Sequence, residues 1–241
     1  MRVLVVGAGG VGAAIVSIAA RRPFFEHLVV ADIDLDRARR AAAPPPIHGS
    51  RRRRWARPTS STCCHSSATR ADVVVNACDP RFNPPIFDAA SAAGVTYLDM
   101  AMHLSEPHPT APYEQVGRIL GEAQLASHDA WAERGQLAIV GMGVEPGLSD
   151  VFARHAADHL FSRIDELNVR DGANLHVGGY DFAPTFSIWT TIEECLNPPI
   201  VYERDRAGCA TEPFSEPEVF RVPRRDRTGR VRQRPNTKKS C

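Results

Sequence analysis

The chain has no CxxC pair and no histidine–cysteine spacing of the kind that holds zinc, although it contains six cysteines. Adjacent Cys63 and Cys64, followed by His65, cannot supply the separated ligand pair of a structural zinc site. The cysteines therefore read as free thiols of a reducing compartment, with no disulfide framework and no metal. Lysine is nearly missing, the only two being Lys238 and Lys239. Charge is absent from residues 3–20, which follow Arg2 and reach Ile18-Ala-Ala. That stretch nearly matches the roughly twenty apolar residues of a membrane span. Four glycines crowd its first half, however, and no clean apolar core or convincing cleavage site accompanies them. The sequence thus argues against secretion or membrane insertion and for a cytoplasmic protein.

Acidic residues are missing where basic ones collect. Residues 44–70 hold six arginines and no acid, and Ile47 is their only branched aliphatic residue. Residues 221–241 hold seven arginines, both lysines and one acid. The remainder carries 14 bases against 27 acids, so the formal charge of +1 hides an acidic, well-patterned body with two basic, unpatterned patches. Runs such as Arg51–Arg54 can bind nucleic acid. Neither patch has helical periodicity, interleaved stacking aromatics or a nucleic-acid motif. Out-of-frame translation is the favoured reading, because arginine-heavy text without apolar residues cannot build a core. One codon choice for Arg225–Gln233 reads, a base later, as the ordinary strand-and-turn text Gly-Ile-Gly-Pro-Val-Glu-Cys-Val-Asn.

What is present begins at the N-terminus. Val3–Val6 runs directly into Gly7-Ala-Gly9-Gly10-Val11-Gly12, and a second apolar run, Leu28–Ala31, closes on Asp32, twenty residues past the last glycine. Strand, glycine turn, helix, strand and acid form a dinucleotide-binding fingerprint. Gly7 permits the tight turn, Gly9 lets the backbone approach a pyrophosphate, and Gly12 lets helix and strand pack closely. N–H groups opening the helix at Gly10 and Val11 then face the phosphates.

Behind this unit, strands are expected at Arg2–Val6, His27–Asp32, Asp72–Ala77, Thr96–Asp99 and Leu137–Val140. Helices are expected at Gly10–Arg21, Asp36–Ala43, Pro84–Ala93, Tyr113–Arg134 and Leu148–Leu160. The third strand and its helix have no place but the patch 44–70, and are expected to be missing. Alternation of this kind gives a Rossmann-type, doubly wound parallel α/β sheet. After Gly147 the alternation is lost, and Ile164–Val169 opens an α+β region. The expected organisation is a dinucleotide domain over 1–155, irregular at 44–70, a partial α+β substrate domain over 156–220, and a disordered basic tail at 221–241.

Val73-Val-Val-Asn-Ala77, Gly94-Val-Thr-Tyr-Leu-Asp99, Gly141-Met-Gly-Val-Glu-Pro-Gly147 and Phe186-Ser-Ile-Trp-Thr-Thr-Ile-Glu193 follow the fingerprint in order. Together they resemble the saccharopine dehydrogenase family, over about 190 of the 241 residues. The resemblance implies hydride exchange between NAD or NADP and the carbon–nitrogen bond of an amino-acid derivative. It implies that Asn76 and Ala77 lie by the adenosine half of the cofactor, and that the loop after Val140 lies beside the nicotinamide. It leaves open a homodimer in the intact family, whose members run longer, so the chain reads as truncated within the substrate domain.

Loops at the carboxyl ends of parallel strands are where ligands bind in such a sheet. Gly143, Pro146 and Gly147 would hold a tight turn whose free N–H groups receive a substrate carboxylate, or serve only as a strand-to-helix turn. Asp99 and Glu145 are candidate acid/base groups or amine ligands, or else turn caps. Asn76 is equally a turn former. His103 reads as a loop histidine, and Trp189 and Phe186 as packing residues. Asp32 favours NAD over NADP, since a carboxylate accepts from both ribose hydroxyls and repels a 2′-phosphate; Arg37 or Arg39 would soften that repulsion. Two functions follow: a CH–NH oxidoreductase, and a catalytically inactive remnant that at most binds a dinucleotide. The expected partner is a small amino-acid-type substrate, with neither nucleic acid nor membrane involved.

Overall fold

The computed structural model describes residues 1–22, 24–43, 58–60, 71–170, 176–181, 183, 187–203, 206–215, 217 and 219. Six parallel strands form one sheet in the order β3-β2-β1-β4-β5-β6. They are β1 (Arg2–Val6), β2 (His27–Asp32), β3 (Pro58–Ser60), β4 (Val73–Asn76), β5 (Thr96–Asp99) and β6 (Ala138–Ile139). Strand β1 lies at the centre, with Val3 opposite both Leu28 and Val73. Chain order reverses there, so the sheet has its topological switch point between β1 and β4.

The pleat sends alternate residues of β1 into two cores. Val3 and Val5 pack with Val16, Leu28, Val30 and Ala38 beneath α1 (Gly10–Ala19) and α2 (Leu35–Ala42). Leu4 and Val6 pack with Val74, Phe87, Tyr97 and Trp131 beneath α3 (Asn83–Ala93) and α5 (His128–Glu133). Burial on both faces is why these strands are continuous β-branched runs, not alternating ones. Each fully buried aliphatic side chain contributes about 1.5–3 kcal/mol. Phe87 stacks edge-on against Tyr97 and tilted against Trp131, closing the second core.

Two compact units are present. The first comprises Met1–Leu104 and Leu120–Asp150 and contains the whole sheet; the second comprises Ser105–Ile119 and Val151–Cys241. In the second, Ser187 accepts the N–H of Thr190 and caps α7 (Ile188–Leu196). Strands β7 (Ile200–Glu203) and β8 (Arg206–Ala210) pair antiparallel. Helix α6 (Leu148–His159) buries none of its residues. No described helix is long and apolar enough to cross a membrane.

Four expectations are corrected. The third strand is not missing: Pro58–Ser60 pairs parallel with Val30–Asp32. It lies at the sheet edge, where backbone pairing suffices and no apolar signature is needed. The rest of 44–70, Arg51–Arg54 included, and the tail 221–241 lie outside the described residues. Tyr113–Arg134 is not one helix. It folds as a turn, a bridge between Glu106 and Arg118, then α4 (Glu122–Leu125) and α5. Gly121 is left-handed at φ 73°, which starts a new helix and breaks the register of the apolar stripe. Of the apolar residues at helical spacing there, Val116, Ile119, Leu120, Ala123, Ala130 and Trp131, only Trp131 is buried. Ile164–Val169, where the α+β region was expected to open, carries neither helix nor strand. Trp189 does not pack but stands 61% exposed, while Phe186 lies outside the described residues.

Candidate functional site

The glycine turn is built by contact. Gly7 sits at φ 95°, and a Cβ there would lie 2.8 Å from the Ala77 carbonyl oxygen. A Cβ on Gly12 would overlap the Gly7 carbonyl oxygen outright. Gly9 is the opposite case, with nothing among the described residues within 4 Å of the corresponding position. Gly7 and Gly12 therefore make the turn and Gly9 leaves its outer side open. Gly9 also caps α1 without a side-chain bond, and the first turn of α1 holds no acid. Its opening N–H groups, at Gly10 and exposed Val11, thus have no intrahelical partner and face an unobstructed side. That is the cradle a pyrophosphate requires.

Asp32 buckles this turn to β2. It is buried, and Oδ2 accepts the N–H of Ala8 at 2.7 Å while Oδ1 accepts that of Asp34 at 2.9 Å. Each oxygen keeps a second lone pair for a hydroxyl. Asp34 caps α2 by accepting from Asp36 and Arg37. The backbone N–H of Arg37, then that of Asp36, hold its carboxyl below the usual aspartate range. Arg37 stands 4.0 Å from Asp34, and Arg39 pairs with Asp36 at 2.9 Å. Both candidate 2′-phosphate ligands thus already face carboxylates.

On the other side of the switch point a buried polar network crosses the carboxyl ends of β4 and β5. Asn76 Nδ2 donates to Asn83 Oδ1 at 2.7 Å and to the Tyr97 hydroxyl at 3.0 Å; its Oδ1 accepts the N–H of Cys78. Burial first, and the nearby Asp99 charge second, push the Tyr97 hydroxyl far above its ordinary range. Asp99 is 1% exposed. Its Oδ1 accepts the N–H groups of Gly141 at 2.8 Å and Met102 at 3.1 Å, and its Oδ2 accepts from Gln124 Nε2 at 2.7 Å. Gln124 Oε1 in turn accepts the N–H of His103 at 2.7 Å.

The loop 141–147 is closed on itself. Gly143 N–H donates to the Pro146 carbonyl, Gly147 N–H to Asp150 Oδ2, Leu148 N–H to the Gly143 carbonyl and Ser149 N–H to the Val144 carbonyl. Expected free amides at Gly143 and Gly147 are therefore already engaged, and Pro146 has none to offer. A Cβ on Gly147 would lie 2.5 Å from the Gly141 and Gly143 carbonyl oxygens, so glycine is needed there for close backbone packing. Glu145 is half-buried on this loop. Among the described residues no group of three His, Cys, Asp or Glu side chains is placed to hold a metal.

Of the residues singled out from sequence, Gly7, Gly9, Gly10, Val11, Gly12 and Asp32 gather at the carboxyl ends of β1 and β2, and Ala77, following β4, lies against Gly7. Asn76 and Asp99 join one network at the ends of adjacent strands, and the Asp99 bond to Gly141 brings the Gly143–Gly147 loop beside it. Gln124, Tyr97 and Met102 were not anticipated. Only the polar residues that close their strands, Asn76 and Asp99, hinted at this network.

Residues 3–139 match the family model described as the saccharopine dehydrogenase NADP binding domain. Carboxyaminopropylagmatine dehydrogenase of Synechocystis sp. is 30% identical over 194 residues, covering 80% of this chain and 46% of that protein. Carboxynorspermidine synthase of Vibrio cholerae is 33% identical over 145 residues, covering 59% of this chain and 34% of that protein. The chain thus spans less than half the length of either relative. Among solved structures, apo saccharopine dehydrogenase (L-Glu forming) from Saccharomyces cerevisiae aligns with a TM-score of 0.47 at 18% identity. That alignment covers 66% of this chain and 31% of the yeast chain.

Proposed function

The chain belongs to the saccharopine dehydrogenase family, and from that premise we propose that it is the dinucleotide-binding part of an NAD(P)-dependent oxidoreductase acting on a carbon–nitrogen bond of an amino-acid derivative. The observation that carries this reading is the open outer side of Gly9 between the tightly packed Gly7 and Gly12. In this reading the amides opening α1 hold the pyrophosphate, Asp32 accepts from the adenosine ribose, and Asn76 and Ala77 flank the seam. A bound nicotinamide supplies or accepts the hydride. Carboxylated amines, as in the names of the two curated relatives, are the substrate class proposed for this chain.

NAD is the proposed cofactor. Asp32 keeps lone pairs for ribose hydroxyls, and Asp34 and Asp36 already face Arg37 and Arg39. Glu145 is the acid proposed to handle a proton, since Asp99 is buried with both oxygens engaged. Gly143, Pro146 and Gly147 are proposed to shape the substrate wall through their packing. A cytoplasmic location and a role without nucleic acid complete the proposal. Domain limits at 155 and 220, and a homodimer of the intact protein, stay with it.

A second reading, binding without turnover, is favoured by the wholly unburied α6. Titration of the 241-residue chain with NADH, followed by assay with carboxylated polyamines or saccharopine, separates the two. Binding with turnover supports the enzyme, binding alone the second reading, and no binding at millimolar cofactor sinks both.

A further inference from the structure

We propose that Asp99 is a positioning residue which locks two loops, Met100–His103 and Gly141–Gly147, into one rigid wall beside the nicotinamide half of the site. This deepens the reading of function above and rests on it. Asp99 ends β5, and its two oxygens point in two directions. Oδ1 takes the Gly141 and Met102 amides, one from each loop, while Oδ2 takes Gln124. Gln124 carries the tie onward to the amide of His103, whose carbonyl accepts from Gly121. The Asp99 carbonyl adds a bond from Met142. One buried carboxylate thus fastens amides 102, 103 and 141 directly or through a single side chain.

The backbone shows that this fastening is needed. Met102 has φ 56°, in the left-handed region that side-chain-bearing residues rarely adopt. Such a conformation persists where its surroundings over-determine it, and it is concentrated at functional sites. Here the Met102 amide is held by Asp99, and its side chain lies against Gly121 and Gly141, where any added Cβ would collide with it. In an open α/β sheet the ligand lies outside the carboxyl ends of the strands, with one nucleotide half on each side of the switch point. The Gly7–Gly12 turn and Asp32 occupy the β1–β2 side. Strands β4, β5 and β6 carry the other half, which is where the locked loops stand.

The lock has a polarity, and that makes it testable. Gln124 must present Nε2 to the carboxylate and Oε1 to His103. In Asp99→Asn the new amide offers a donor to Gln124 Nε2. Either those donors face each other, or Gln124 turns and abandons His103. In Gln124→Glu two carboxylates meet in a buried site. Combining the two changes restores every bond. The introduced asparagine still accepts from Gly141 and Met102 through its oxygen, and its Nδ2 donates to the introduced glutamate. That glutamate keeps an oxygen to accept from His103.

Amide exchange by NMR and the emission of bound NADH read the result. Each single variant is expected to exchange the His103 amide about tenfold faster or more. NADH affinity is expected to stay within about twofold, because the Asp99 bonds run to Met102, Gln124 and Gly141 and not to the Gly7–Gly12 turn, while the emission change of the bound nicotinamide is lost. The double variant is expected to recover both. Gln124→Met, which leaves the carboxylate intact, should free His103 and spare Gly141 even if Asp99→Asn fails to fold. A double variant no better than the singles, or unchanged exchange at His103 in Gln124→Met, overturns the lock. Wild-type protein that binds no NADH overturns the reading of function and the positioning role together. Wild-type binding with unchanged emission in Asp99→Asn overturns the positioning role alone.

Discussion

Gly12 stands so close to Gly7 that a single methyl group on it would overlap the Gly7 carbonyl oxygen. At Gly9, between them, the same methyl group would meet nothing among the described residues within 4 Å. The same residue type is thus used for two different reasons within one turn. Gly9→Val should fold with an unchanged melting temperature yet lose the thermal shift that NADH gives the wild type. Gly12→Ala should lose about 3 kcal/mol of stability from overpacking alone. Melts of both variants with and without NADH check the pair, and a Gly9→Val protein still stabilised by NADH would refute the phosphate cradle.

Asp32 should matter twice. Asp32→Ala strands the buried N–H of Ala8, which now bonds to a carboxylate, and should cost about 1.5–3 kcal/mol in urea unfolding. Removing the charge should also raise the preference for NADPH over NADH, because a 2′-phosphate no longer meets a carboxylate. Competitive titration with both cofactors measures the ratio; a ratio unmoved by the substitution would show that Asp32 serves the turn only.

Tyr97 should make stability fall in alkali. Its folded pKa is raised, so its contribution is complete below the unfolded value of about 10 and is lost as pH climbs above that. The unfolded chain releases the phenolic proton there while the folded chain keeps it. Urea unfolding followed from neutrality into alkali should show this loss setting in above about pH 10. Tyr97→Phe should flatten the alkaline limb, at a cost near neutrality of about 1–2 kcal/mol.

Acid acts through the opposite sign. Hydrogen bonds from Arg2, side chain first and backbone second, hold Asp72 below its ordinary range, as backbone amides hold Asp34. Stability from a depressed carboxylate is present above its unfolded pKa, about 3.9, and is lost as pH falls through the lower folded value. Asp72→Asn should lower the melting temperature slightly at neutral pH and flatten its decline below about pH 4. Both partners are exposed, so the difference should shrink in salt. Melts from about pH 2 to neutrality, in low and high salt, are the check.

Much of the fold was legible because period and punctuation agreed. β1, β2 and β5 have the bounds expected from their apolar runs and flanking polar residues, and α3 stops at Gly94 as expected. The glycine turn announced itself because its residues are adjacent in sequence. The rest was hidden for particular reasons. Pro58–Ser60 pairs through its backbone in arginine-rich text and leaves no pattern to read. The stripe from Val116 to Trp131 has helical spacing, but Gly121 resets it midway. Gln124 carries no local signal, since its meaning lies in Asp99, far back in the chain. Asp99 was recognisable as a strand-end acid; that its oxygens would be spent on amides of two later segments was not.

Among the described residues the sheet ends, on both sides, in very little. β3 offers three residues and begins with a proline that has no N–H to give; β6 offers two. Short edges and edge prolines deprive an incoming strand of partners. Backbone templating of one copy upon another, the usual first step towards fibrils, therefore has almost no footing on the described edges. Self-association of this chain, when it occurs, is expected to be a matter of side chains such as Phe152 and Trp189. Detergent or arginine should then reverse it, as neither reverses a cross-strand fibre.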